Sequence, residues 1–287
     1  MSKPDLYVDL LKQVIANRQL PGLGPRIRYL LDCIDPDLLR PTRLEQSPVD
    51  AEGRVIFDLE YFRTLETYEK AAVQGVVEEP GGHYWWEHTL GFPFTMLSPA
   101  RLDNVEYAVR TVIEDDVPGD FLEAGVWRGG VGLLMRGLLE VLEDPDRRIW
   151  LADSFEGLPP PSHEQDRALP LNLNWMLPSS LEEVRANFDG LGLLDDRVKF
   201  LPGYFADSMP IAPIEELAIL RLDGDYYSST IEVIEPMYDF VSTGGFIIVD
   251  DYGFHEGCRN AVHDFLDRRS LHVEIIPIDD HGVYWRK

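Results

Sequence analysis

Four aspartates stand in two close pairs, each just past a short apolar run. Leu217–Leu222 leads into Asp223-Gly-Asp225, and Gly245–Val249 leads into Asp250-Asp251. If the two runs are adjacent parallel strands, these ends meet. Carboxylates converging with no Lys or Arg between them repel one another unless a cation compensates. An all-oxygen set suits a hard ion, Mg²⁺ first, with Ca²⁺ or Mn²⁺ as alternatives. One aspartate at a strand end is more often a cap for the next helix. Asp223, Asp225, Asp250 and Asp251 taken together favour the cation.

A second group lies upstream. The run Asp120–Val126 carries Glu123 and Gly125 and continues into Trp-Arg-Gly129-Gly130. Glycines there allow a sharp turn and close approach to a ligand. The pattern is Glu-x-Gly, not the G-x-G-x-x-G of dinucleotide sites, and Glu123 would repel a pyrophosphate. It would attract a cofactor bearing an ammonium group, as S-adenosylmethionine does. The next run, Arg148–Asp153, ends in an acidic residue followed by Ser154. An acid at that place can accept hydrogen bonds from both ribose hydroxyls of an adenosine.

The elements that must position these groups follow from periodicity. Asp5–Arg18 has helical apolar spacing, and Asp58–Val73 reads as helical too. His83-Tyr-Trp-Trp-Glu-His88 is an aromatic segment that either closes over the site as a lid or packs as a buried cluster. Ser98-Pro99 is a helix start, with Ser as N-cap and Pro at the first helical position, for a helix running to about Asp115. From Pro118 short apolar runs alternate with helices at about Gly130–Leu142, from the capping box Ser180–Glu183 to Phe188, at Thr230–Val241 and at Cys258–Arg269. Val198–Pro202 is a further strand, and Val273–Ile278 and Val283–Arg286 close the chain as two more. Such alternation predicts an α/β fold: a doubly wound, mostly parallel sheet, its last two strands pairing antiparallel as a hairpin. An N-terminal helical or lid segment over residues 1–97 precedes the core at 98–287.

Composition narrows the function. The chain has 287 residues, 45% hydrophobic, with a formal charge of −25 from 51 acidic and 26 basic residues. That balance argues against a nucleic-acid or anionic-membrane surface, both of which need clustered Lys and Arg. No run of ~18 apolar residues offers a membrane span, and Met1–Leu6 has no secretory pattern. Cys33 and Cys258 are far apart and lack metal-ligand partners at short spacing, which reads as two thiols in a reducing, cytoplasmic setting.

Five stretches resemble a known family, the macrocin O-methyltransferase (TylF/MycF-like) group of sugar O-methyltransferases: Pro118–Gly130, Ala152–Pro159, Leu220–Asp225, Gly244–Tyr252 and Gly282–Arg286. Their order along the chain also matches. The resemblance implies a class I (Rossmann-like) methyltransferase core, use of S-adenosylmethionine and Mg²⁺, a small-molecule glycoside as acceptor, and a homo-oligomer, commonly a dimer. On that basis Asp223, Asp250 and Asp251 are metal ligands, and Glu123, Gly125 and Asp153 face the cofactor. Trp127, Ser154, Thr95 and Met96 are expected beside them. The chain departs from the family pattern by an apparent insertion at about Pro21–Gly53 and by a shorter Leu169–Pro178 that lacks a His found in some members.

Methyl transfer to a hydroxyl needs an aligned acceptor oxygen and a group to take its proton. Asp225 is the first choice of base, with support of a metal ligand or helix capping as its other readings, and His281 is the second choice. Two other functions share these motifs. Asp223-Gly-Asp225 is formally the Asp-x-Asp of a metal-dependent glycosyltransferase using a nucleotide sugar, against which Glu123 argues. A non-catalytic binding protein on the same fold would have little use for the aspartate set.

Overall fold

A computed structural model describes residues 2–17, the short strands at 34–35 and 40–41, and residues 93–174 and 176–287. The expected helix at Asp58–Val73, the His83–His88 segment and Cys33 lie outside these residues.

Helix α1 (Lys3–Ile15) begins earlier than its apolar spacing suggests, because Ser2 and Asp5 cap it reciprocally. Ser2 Oγ accepts from the Asp5 N–H at 3.2 Å, and Asp5 Oδ2 accepts from the Ser2 N–H at 3.1 Å. Strands β1 (Ile34–Asp35) and β2 (Arg40–Pro41) pair antiparallel. Helix α2 (Pro99–Glu114) starts where Ser98-Pro99 predicts, with Ser98 Oγ accepting from Arg101 N. Lys12 ties the two helices, 2.5 Å from Glu106 and 2.6 Å from Asp103.

The core alternates as expected: β3 (Asp120–Ala124), α3 (Gly130–Val141), β4 (Ile149–Asp153), α4 (Leu181–Gly190), β5 (Val198–Pro202), the short α5 (Phe205–Ser208), β6 (Leu217–Leu222), α6 (Tyr227–Met237), β7 (Val241–Val249), α7 (Glu256–Arg268), β8 (Ile276–Pro277) and β9 (Val283–Arg286). The strand order is β5-β4-β3-β6-β7-β9-β8, parallel from β5 to β7, with β9 antiparallel to both β7 and β8. The chain enters at β3, winds outward through β4 and β5, then returns to β6. The switch point therefore lies between β3 and β6, where doubly wound sheets bind ligands.

Side chains alternate across the strands and feed two cores. One face, with Phe121, Leu151, Ile219 and Phe246, packs against α1 to α4. The other, with Leu122, Trp150, Leu220 and Ile247, packs against α6 and α7.

Among the boundaries three differ from expectation, and so does one helix cap. Val241 is not the end of a helix but the start of β7, paired with Leu217, and the register then shifts around Gly244, whose φ of +87° admits a bulge. The Val273–Ile278 strand shrinks to Ile276–Pro277, which pair with Tyr284 and Val283. Ser180 caps Glu183 N as predicted, but the Glu183 carboxylate turns to Ser179 Oγ and Arg128, so the box is half formed. Finally, α7 begins at Glu256, two residues before Cys258, which is a buried free thiol.

Candidate active site

Parallel register brings the acidic groups together. Gly125 N donates to Ala152 O, Asp223 N to Ala124 O and Asp250 N to Leu222 O, all at 2.8–2.9 Å, so the ladder continues past the strand ends. Asp223, Asp250 and Asp251 each present a carboxylate oxygen within 4.8 Å of the others. Asp225 sits beside them with its N–H donating to Asp251 Oδ2 at 2.9 Å and a left-handed φ of +59°.

The expectation that no Lys or Arg stands among these carboxylates is wrong. Arg221, fully buried on β6, is the register partner of Glu123 on β3. Its Nη1 lies 3.0 Å from Glu123 Oε1 and 2.9 Å from Asp223 Oδ2, and its Nη2 lies 2.7 Å from Asp250 Oδ1. Arg101, from the first turn of α2, reaches the other oxygen of Asp250 and holds Asp279 Oδ2 at 3.1 Å. Arg221 had a signal in the sequence: it stands two residues before Asp223 inside an apolar run, hence on the same side of the strand. Arg101 had none, because its partners lie far along the chain.

Two guanidiniums do not offset five carboxyl groups. Burial pushes the Asp225 carboxyl up to about 8, with Asp223 and Asp250 adding to the rise. It lifts Asp223 to about 6 against the pull of Arg221, and raises Asp251 well above the usual range with help from Asp225. Glu123 is pushed up to about 8 by burial despite Arg221. The cluster is short of positive charge, and its converging oxygens fit a hard divalent cation by donor chemistry and by spacing.

The loop after β3 is shaped by close approaches. A Cβ on Gly125 would lie 1.6 Å from the Asp223 carbonyl oxygen, and one on Gly130 would lie 2.3 Å from Phe94 O. The latter approach seats the segment carrying Thr95 and Met96 over the start of α3. Asp153 does something the sequence did not indicate. Its Oδ2 accepts from Val126 N at 2.7 Å and Trp127 N at 3.3 Å, and its Oδ1 from Phe155 N at 2.8 Å. It therefore fixes the β3 loop and has one of its four acceptor sites left for a ligand. Ser154 Oγ donates to Gly157 O within its own turn.

Two adjoining cavities, of about 690 and 870 Å³, open at the strand ends. The first is lined by Asp153, Ser154, Tyr204, Phe205 and Glu232 among others, the second by Thr95, Arg101, Glu123, Asp250, Asp251 and His281. Met96, Trp127, Leu177, Asp223 and Asp225 line both, so the cavities join beside the acidic cluster. Glu123 Oε2 is buried with no hydrogen-bond partner among the described residues, which fits a ligand that brings a donor. His281 sits in the hairpin turn, its N–H donating to Asp279 Oδ1 at 3.0 Å. Every residue expected at the site thus lines one cavity or the other, Gly125 included.

Comparison with known proteins identifies the family and relatives of the chain. The family model described as macrocin-O-methyltransferase (TylF) matches residues 4–287. The chain is 50% identical over 196 residues, 67% of its length and 75% of the relative's, to the 8-demethyl-8-(2,3-dimethoxy-alpha-L-rhamnosyl)-tetracenomycin-C 4'-O-methyltransferase of Streptomyces olivaceus. It is 47% identical over 199 residues, 67% of its length and 78% of the relative's, to the mycinamicin III 3''-O-methyltransferase of Micromonospora griseorubida. The solved structure of the O-methyltransferase NovP aligns over 99% of both chains at 35% identity, with a TM-score of 0.75.

Proposed function

The chain belongs to the macrocin-O-methyltransferase (TylF) family of S-adenosylmethionine-dependent O-methyltransferases, and from that premise we propose that it methylates a sugar hydroxyl of a glycosylated natural product with the help of a divalent cation. The observation that carries the cation is the convergence of Asp223, Asp250 and Asp251 oxygens within 4.8 Å, in a cluster that remains short of positive charge. Asp223, Asp250 and Asp251 are the residues that would hold it, Mg²⁺ being the favoured ion. A bound divalent cation supplies charge compensation and lowers the pKa of a coordinated hydroxyl.

The chain's own residues do the rest. Asp153, Ser154 and Gly125 bound the adenosyl end of the cofactor site, and Glu123 with the Thr95–Met96 segment bounds the amino-acid end. Asp225 lines both cavities at their junction, where the acceptor hydroxyl must meet the methyl group. Its carboxylate is the base: as the oxygen–carbon bond forms and the carbon–sulfur bond breaks, the hydroxyl proton passes to an Asp225 oxygen. His281, which lines the second cavity, would contact the acceptor. The names of the relatives, which specify a dimethoxyrhamnosyl tetracenomycin and mycinamicin III, support a glycoside acceptor.

The test is calorimetric titration of chelator-treated protein with S-adenosylhomocysteine and then with Mg²⁺, on wild type and on Asp250→Asn. Cofactor binding in both, with the Mg²⁺ heat lost in the variant, is the expected result. Mg²⁺ binding that survives the substitution would remove the ligand assignment, and no S-adenosylhomocysteine binding would remove the cofactor site.

A further inference from the structure

The first cavity holds an acidic side chain that the reaction described above leaves without a task. Glu232 lies on α6, half-buried, with its side chain lining the cavity together with Ser229 one turn before it. Asp225, at the junction with the acidic cluster, precedes the helix, and Glu232 is seven residues further on, roughly 10 Å along the axis at ordinary helical rise. The wall from Asp225 through Ser229 to Glu232 therefore runs from the reacting end of the site to its far end.

Glu232 forms no ion pair with Lys or Arg among the described residues. The charged groups that face it are Asp166 and Asp207, both acidic, and the Ala206 backbone N–H offsets them only in part, so that burial and these neighbours raise its pKa. A half-buried carboxylate whose one donor among the described residues is a backbone N–H is only partly satisfied by the protein itself. It becomes fully satisfied when a ligand brings N–H groups. The surroundings fit a flat aromatic group: Tyr204, Phe205, Leu158 and Pro159 all line the cavity. Gly224 keeps the floor open, since a Cβ there would stand 2.8 Å from Ser229 Cβ and 3.1 Å from Phe205 Cε2.

We propose that Glu232 recognises the exocyclic amine of the adenine ring, its carboxylate accepting from that NH₂ at the end of the cavity opposite Asp225. This assignment rests on the reading of the cavity as the cofactor's adenosyl site. The chemistry is directional. An amine donates to a carboxylate, whereas a carbonyl at the same ring position meets it lone pair to lone pair. A site built around a substrate N–H rejects the analogue that lacks it, because a buried acceptor is left unpaired.

The experiment compares S-adenosylhomocysteine with S-inosylhomocysteine, in which a carbonyl replaces the amine, by calorimetry on wild type, Glu232→Gln and Glu232→Ala. Thermal unfolding of each unliganded variant checks the fold. A hydrogen bond to a charged acceptor corresponds to about a ten- to hundred-fold preference of wild type for the adenosyl ligand. Glu232→Ala loses that preference by weakening adenosyl binding. Glu232→Gln narrows it from the other side, since an amide can turn its own NH₂ toward a carbonyl. Undiminished discrimination in the variants, or none in wild type, overturns the assignment. If wild type binds neither ligand, the cofactor reading itself falls and takes this inference with it. Should Glu232→Ala fail to fold, the Gln variant decides alone.

Discussion

Arg221 Nη2 lies 2.7 Å from Asp250 Oδ1 while Nη1 of the same guanidinium lies within 3.0 Å of both Glu123 and Asp223. One buried cation thus joins the cofactor side of the site to the metal side. Removing one partner of a buried ion pair leaves uncompensated charge and typically costs about 3–5 kcal/mol. Arg221→Met should therefore be strongly destabilised in chelator. The loss should grow between pH 6 and 8, because carboxyls with raised folded pKa values lose stability as pH rises through that range. Denaturant midpoints at the two pH values measure it, and a small, pH-independent loss would contradict the account.

Asp225 holds a φ of +59°, a conformation that Asn also tolerates. Asp225→Asn keeps the N–H that Asp251 accepts and removes only the basic oxygen. The expected outcome is a kcat lower by about 10²–10⁴-fold, the usual range for a general base, with S-adenosylhomocysteine affinity nearly unchanged. A kcat close to wild type would transfer the role to another group.

Gly125 and Gly192 both have positive φ, +94° and +67°, but only Gly125 is crowded. An alanine Cβ at 125 meets the Asp223 carbonyl at 1.6 Å, whereas at 192 nothing lies within 4 Å. Gly192→Ala should cost about 1 kcal/mol for backbone strain alone. Gly125→Ala should cost several times as much or prevent folding, and any folded fraction should bind Mg²⁺ poorly because Asp223 has moved. Equal unfolding temperatures for the two variants would refute this.

Glu106 is raised by burial, yet its hydrogen bonds from Lys12 and Arg110 bring its pKa below the ordinary value. A depressed folded pKa contributes stability above the unfolded value, near 4.5, that is lost as pH falls through the folded value. Acidification below that point should loosen α1 from α2 first. Limited proteolysis near the N-terminus across pH 3–6 tests the order, and Glu106→Gln should make the cleavage rate less dependent on pH.

Local chemistry was legible wherever near neighbours decide. Ser98-Pro99 starts a helix because the cap and the missing N–H are both local, and β5 and β6 end where their apolar runs end. Glu123, Gly125, Asp153 and the four later aspartates could be identified because each follows or ends a recognisable strand, and parallel strands must bring such ends together. Family membership rested on the same stretches.

Interactions between distant segments needed the folded chain. That Arg101 reaches Asp250, 149 residues away, depends on how α2 crosses the sheet. That Asp153 secures the β3 loop through Val126 and Trp127 depends on where that loop lies once β3 and β4 are paired. The start of β7 at Val241 was set by pairing with Leu217 rather than by the helical pattern leading into it. The sequence by itself determined which residue types stand at the strand ends, and hence the chemistry on offer. Tertiary structure alone decided which charges meet, because electrostatic partners are chosen by distance in space and burial, to which separation along the chain is no guide.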